Sequence, residues 1–214
     1  MFVKQMEVGQ MAVFAYIVGC KETKEALVID PASECERIFK EATDKGYTIK
    51  YILNTHSHIN HIMGNRRMRD LTGAQIIIHE RESSSLINQS PYMMQMFGAE
   101  PSPPADITVR DKDTITIGNT YLDVLHTPGH SPGSISLYHN GIVFTGDTLF
   151  VGGVGRTDLA GGSSEVLAAS IRNKLFTLPD DTIVAPGHNY GDTPKSTNGR
   201  EKIYNPYVGQ RGMY

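Results

Sequence analysis

Four times along this chain a short apolar run breaks off into a loop that carries histidine or aspartate beside glycine, proline or threonine. Lys50–Asn54 leads into Thr55-His56-Ser57-His58-Ile59-Asn60-His61. A second loop reads Thr127-Pro128-Gly129-His130-Ser131-Pro132-Gly133. A third, Phe144-Thr145-Gly146-Asp147, leaves a hairpin strand, and a fourth is Ala185-Pro186-Gly187-His188. A rigid sheet fixes the base of such loops, which is why sites are built there. Side chains alternate along an extended segment, so His56 and His58 point to the same side, and His61 lies about one turn on, at a helix start. Neutral imidazole and carboxylate are the ordinary ligands of zinc, iron and manganese. Five histidines and one aspartate can serve two neighbouring metal positions, and a metal-bound water, with its pKa near 7, is a usable hydroxide nucleophile. A lone histidine in a strand-end loop is more often just hydrogen-bonded, and His79, His126 and His139 are read that way. The same setting repeated four times is not explained by chance.

The rest of the pattern is mixed α and β. Val13–Val18 and Ala26–Ile29 are short β-branched runs, the second stopped by Asp30-Pro31. Ser33 to Gly46 reads as a helix with Ile38, Phe39 and Ala42 on one face. A second helix is expected from about His61 to Leu71, ended by Gly73, and a strand over Gln75–Ile78. Arg81–Phe97 is ambiguous. Its Met93, Met94, Met96 and Phe97 read first as core packing and second as a substrate-facing lid. Two hairpins follow, Thr114–Ile117 with Tyr121–Leu125 and Ile135–Tyr138 with Ile142–Phe144, the latter turning on Asn140-Gly141, a strong hairpin signal. Ser163–Phe176 reads as a helix and Thr182–Ala185 as a last strand. Strands followed by helices in each half suggest an α+β chain, sheet packed on sheet with helices outside. No linker marks a boundary, so residues 1–214 are expected to form a single domain.

Composition narrows the function classes. Twenty Lys and Arg against 23 Asp and Glu leave a net charge of −3, without the cationic excess that nucleic acid or an anionic membrane demands. No apolar stretch approaches the ~18 residues that span a bilayer. The early apolar run from Ala12 to Val18 follows a polar start and lacks a signal-peptide layout. Cys20 and Cys35 form no disulfide framework and have no ligand spacing, as expected of reduced thiols in a cytoplasmic protein. The charge balance names no protein partner and no oligomeric state.

The segment Thr55-His56-Ser57-His58-Ile59-Asn60-His61 resembles the Thr-His-x-His-x-Asp-His signature of the metallo-β-lactamase superfamily. Thr-Pro-Gly-His130, Gly-Asp147 and Pro-Gly-His188 match the later motifs in order, so the resemblance covers nearly the whole chain. Gly146-Asp147-Thr148-Leu149-Phe150 through Gly155-Arg156-Thr157-Asp158 resembles the glyoxalase II branch, and the tail from Asn189 to Tyr207 resembles its compact bacterial members, hydroxyacylglutathione hydrolase-like enzymes without a C-terminal helical domain. The resemblance implies a four-layer αββα sandwich with metals at one edge. It implies one ion on His56, His58 and His130, a second on His61, His188 and the residue at position 60, and Asp147 bridging both with a hydroxide. One or two divalent ions per chain (Zn, Fe or Mn) and a small thioester or other thiol-derived substrate follow from it. It further implies contact of Tyr190 and Arg156 with the thiol part of the substrate. Read as plain residues, Tyr190 would be loop packing and Arg156 an ion pair with Asp158.

Asn60 departs from the family's aspartate. An amide oxygen is a neutral, weaker ligand, so Asp147 becomes the only anionic protein ligand for two ions. The second position is weakened, and the carboxylate beside the hydroxide is lost. Hydrolysis of a small acyl thioester such as S-lactoylglutathione remains the leading expectation, because a thiolate leaves without a strong general acid. Two alternatives stay open. One is a mononuclear iron persulfide dioxygenase using His56, His130 and Asp147. The other is a metal-binding protein with a compromised active site.

Overall fold

A computed structural model describes residues 1–210. Its contacts divide the chain into two compact units, Met1–Val109 with Ile115–Tyr121, and Arg110–Thr114 with the chain from Leu122 onward.

The first unit runs β1 (Phe2–Val8), β2 (Val13–Gly19), β3 (Glu25–Ile29), α1 (Cys35–Asp44), β4 (Thr48–Leu53), α2 (Ile59–Ile62), α3 (Asn65–Thr72), β5 (Gln75–His79), α4 (Ser83–Ile87), α5 (Pro91–Phe97) and β6 (Ile107–Val109). The six strands form one mixed sheet in sequence order. β1, β2 and β3 pair antiparallel, and β3, β4, β5 and β6 pair parallel. Parallel strands need a covering crossover, and α1 and α3 supply it. Residues Cys35, Ile38 and Ala42, at helical spacing, are the buried face of α1. They join Val28, Ile52, Met68 and Ile76 in one apolar cluster. Each fully buried Val, Ile or Met among them contributes about 1.5–3 kcal/mol of transfer free energy.

The structure corrects two readings here. The helix expected from His61 to Leu71 is two helices, α2 and α3, separated at Met63-Gly64. A Cβ at Gly64 would lie 1.7 Å from the Pro31 carbonyl oxygen, so the break falls where the chain passes too close to the end of β3 for any side chain. The Met-rich stretch is α5, and it is not core: none of its residues is buried, and Met96 is 57% exposed. Seven residues between Ser90 and Gly98 are too short a helix to bury a face on both sides, and α5 lies beside α2 alone among its larger contacts.

The second unit contains β9 (Ile135–His139), β10 (Ile142–Gly146), β11 (Leu149–Phe150), β12 (Gly153–Val154), α6 (Ser164–Ser170), β13 (Ile183–Pro186), β14 (Ser196–Thr197) and α7 (Asn198–Tyr204), and is entered by the hairpin of β7 (Thr114–Ile117) and β8 (Thr120–His126). Its strands are ordered β14-β13-β10-β9-β8, with β10 and β13 parallel. β11 and β12 pair separately. Leu167, Ile171 and Leu175 pack with Val143 and Val184. The helix expected over Ser163–Phe176 is α up to Ser170 and then widens by one π turn, where Phe176 N–H reaches Ile171 O at 2.8 Å. The α+β expectation holds in both units. No described helix is long and apolar enough to cross a membrane.

Candidate metal-ligating residues

Three of the expected ligands leave the end of β4. β3 lies parallel to it, with Ile29 opposite Leu53, so Asp30 sits beside the start of the 54–61 loop. Asp30 has a left-handed backbone (φ 46°) and is 1% exposed. Its Oδ1 accepts the Thr55 N–H at 2.8 Å. Its Oδ2 accepts the Thr55 hydroxyl at 2.6 Å and lies 3.0 Å from His61 Nδ1. The Thr55 oxygen, its own hydrogen committed to Asp30, is 3.0 Å from His56 Nδ1.

Proton positions follow from this arrangement. A carboxylate oxygen only accepts, so His61 Nδ1 carries the hydrogen. The Thr55 oxygen accepts from His56 Nδ1 for the same reason. In a neutral ring the other nitrogen then carries the lone pair. One buried carboxylate thus leaves Nε2 of both His56 and His61 able to ligate. The rings are gathered: His56 lies 4.7 Å from His58 and 4.3 Å from His61 between centroids. Asp30, His56 and His61 also offer three donor atoms within 4.8 Å of one another. Asn60 lies half-buried on α2, between His58 and His61. Below the loop, Asn54 and Asn65 exchange amide hydrogen bonds at 3.1 and 2.8 Å, and Asn65 also donates to Ser102. Asn65→Ala would orphan these groups and is expected to cost about 2 kcal/mol, read from thermal unfolding; an unchanged melting curve would contradict the pinning role.

In the second unit His130, Asp147 and His188 come together. His130 Nε2 and His188 Nε2 lie 3.5 and 3.3 Å from the same oxygen, Asp147 Oδ2. His130 Nδ1 is 2.7 Å from the Arg156 carbonyl oxygen, so that nitrogen carries the hydrogen and Nε2 turns a lone pair toward a carboxylate. Such a pair is stable only with a proton or a cation between. Two ligand atoms each ~2.1 Å from a tetrahedral ion are separated by roughly 3.4 Å, which is the spacing seen. Close backbone approach supports the cluster. A Cβ on Gly187 would meet Asp147 Oδ1 at 2.3 Å, and one on Gly155 would meet the Asp147 carbonyl oxygen at 1.8 Å. The donor set and its spacing therefore fit a divalent ion.

The remaining residues fall out differently. Tyr190 stacks on His188 (4.4 Å, 12°) and packs edge-on to Phe150; burial, then the charge of Asp147, raise its phenol pKa. The Arg156 guanidinium forms a two-pronged ion pair with Asp158, 2.7 Å on each arm, and that contact pulls the Asp158 carboxyl down to about 2. His79 Nδ1 accepts the Arg81 N–H, and His126 Nε2 is 3.0 Å from the Pro132 carbonyl, as read for non-ligands. Sequence reasoning missed Asp30. Its signal is an aspartate closing a β-branched run, which Asp-Pro by itself marks only as a strand stop.

The comparisons with known proteins agree with this picture. A family model described as the metallo-beta-lactamase superfamily matches residues 8–188. Hydroxyacylglutathione hydrolase GloC of Haemophilus influenzae is 31% identical, over 96% of this chain and 100% of its own. The mitochondrial persulfide dioxygenase ETHE1 of Homo sapiens is 33% identical over 95% of this chain and 74% of its own. The crystal structure of TTHA1623 in a di-iron-bound form superposes with a TM-score of 0.83 at 31% identity, covering 96% of this chain and 100% of that one.

Proposed function

Because the chain belongs to the metallo-beta-lactamase superfamily, we propose that it is a metal-dependent hydrolase of a small acyl thioester, S-lactoylglutathione being the model substrate, with residues 1–214 acting as one catalytic domain. His56, His58 and His130 would hold one ion, and His61, His188 and the Asn60 amide a second, with Asp147 shared. The ion supplies, when bound, a water acidified toward neutral pH and a Lewis acid for the thioester carbonyl. The protein's own part is to present lone pairs. Asp30 does so for His56 and His61, and the Arg156 carbonyl does so for His130. Tyr190 offers a phenol beside His188 for the thiol portion. Arg156 serves the same portion only by exchanging Asp158 for a substrate carboxylate.

The observation that carries this reading is the donor set around Asp147, two imidazoles on one carboxylate oxygen. Similarity to a hydroxyacylglutathione hydrolase over 96% of this chain and 100% of that protein supports the thioester as substrate. The second reading, a mononuclear iron persulfide dioxygenase, is favoured by Asn60, which weakens one of the two positions, and by the human relative.

The test is free-thiol release from S-lactoylglutathione, run beside metal analysis and oxygen uptake on glutathione persulfide. Thiol release supports the hydrolase. One tightly held iron with oxygen uptake moves the assignment to the dioxygenase, and bound metal with no turnover on either substrate moves it to a binding protein. Asn60→Asp restores an anion beside a dication and is expected to raise second-site occupancy and rate by about tenfold. An unchanged metal content and rate would remove the role given to position 60.

A further inference from the structure

Ser57 stands between the two ligands His56 and His58, and all of its polar groups are held from outside its own loop. Its N–H donates to Glu82 Oε2 at 3.0 Å, and its hydroxyl donates to the same oxygen. Its carbonyl accepts from Gln89 Nε2 at 2.8 Å. Glu82 is 2% exposed and closes the short turn Glu80–Glu82 that leaves β5. Gln89 follows α4 and is itself tied back to the Ser85 carbonyl. A buried carboxylate is costly to desolvate and persists where donors converge on it. Here two donors come from one residue of a metal-ligand loop, 25 positions earlier in the chain.

We infer that Glu82 is a positioning residue for the metal: by fixing the backbone and side chain of Ser57, it sets the angle between the imidazoles of His56 and His58. The backbone of Asn54 still donates to the Ile77 carbonyl of β5 at 3.0 Å, but residues 55–58 lie beyond the strand pairing. Asp30 holds Thr55 on one side of His56, and Glu82 holds Ser57 on the other. With both anchors in place the His56 and His58 rings meet edge to face at 88°. Without Glu82 the Ser57 N–H and hydroxyl must find water or rotate, and His58 turns with them. The substituents that orient ligands in this way usually change metal affinity by ~10–100-fold when removed. This inference rests on the metal site proposed above but on no particular substrate.

The experiment measures apparent zinc affinity by chelator competition, and the visible spectrum of the cobalt(II)-loaded protein, in wild type, Glu82→Ala, Glu82→Gln and Ser57→Ala. Glu82→Ala is expected to bind zinc about tenfold more weakly and to shift the cobalt bands. Glu82→Gln keeps an oxygen that accepts both donors, and should recover most of the affinity. Ser57→Ala loses only the hydroxyl contact, folds without difficulty, and should show a smaller loss in the same direction. Ile171→Val, a core change in the second unit, serves as the stability control. If Glu82→Ala and Ser57→Ala match wild type in affinity and spectrum, merely melting earlier as the control does, Glu82 is structural and the inference fails while the hydrolase reading stands. Wild-type protein that takes up neither zinc nor cobalt would overturn both.

Discussion

Asp30→Asn is expected to weaken metal binding by ~100-fold while leaving the size of the side chain unchanged. Oδ2 of Asp30 takes two hydrogens, from the Thr55 hydroxyl and from His61 Nδ1. With the amide oxygen kept toward the Thr55 N–H, the new NH2 group faces both donors. His61 escapes by moving its hydrogen to Nε2, and its lone pair then points at the asparagine instead of outward. The Thr55 hydroxyl must also turn, which withdraws the acceptor from His56 Nδ1. Two ligands are mis-set by one atom. Chelator competition reads the affinity, thiol release follows it, and nitrogen chemical shifts of the imidazoles report which nitrogen is protonated. Wild-type affinity with His61 still protonated at Nδ1 would show that Asp30 does not control the ring.

Gly155→Ala is expected to be the most destabilising of the small-residue changes at the site. The added methyl would stand 1.8 Å from the Asp147 carbonyl oxygen and 3.1 Å from His130 Nδ1. Neither is a flexible chain end. The first is backbone, and the second is bonded to the Arg156 carbonyl. Relief requires moving the strand exit that carries Asp147, at a cost of ~3 kcal/mol or more. For a chain of about 200 residues this lowers the melting temperature by about 6–12 °C, measured on metal-free protein so that lost affinity does not enter. Gly152→Ala is the contrast. Gly152 has a positive φ, 65°, but open space around its Cβ position, and its substitution should cost only about 1–2 kcal/mol. Equal melting of the two variants would mean that the loop yields and the contact is not structural.

Much of the fold is written locally. The strands β2, β3 and β10 are apolar runs bounded by turn residues, and Asn140-Gly141 marks its hairpin by chemistry that needs no distant partner. The histidines were legible for a similar reason: they cluster in sequence, or sit next to glycine and proline at strand ends. What the sequence hid depends on partners far along the chain. The split between α2 and α3 falls where Gly64 meets the Pro31 carbonyl, 33 positions away. Asp30 and Glu82 are single carboxylates with no motif of their own, and each gains its meaning from a loop 25 residues distant. The Met-rich α5 was misread because a helical run of apolar residues signals burial only if another surface is there to cover it, and its side chains stay half-buried or exposed.

β4 has a same-direction neighbour on each side, so three chain exits open at one rim, and the middle exit is gripped like work in a vise. The jaws belong to separate stretches of sequence. The crossover that follows β4 begins with the gripped loop itself. A slip of one position between β3 and β4 would swing Asp30 onto the opposite pleat and release the middle loop. The pairing frame of these three strands is therefore closed to drift.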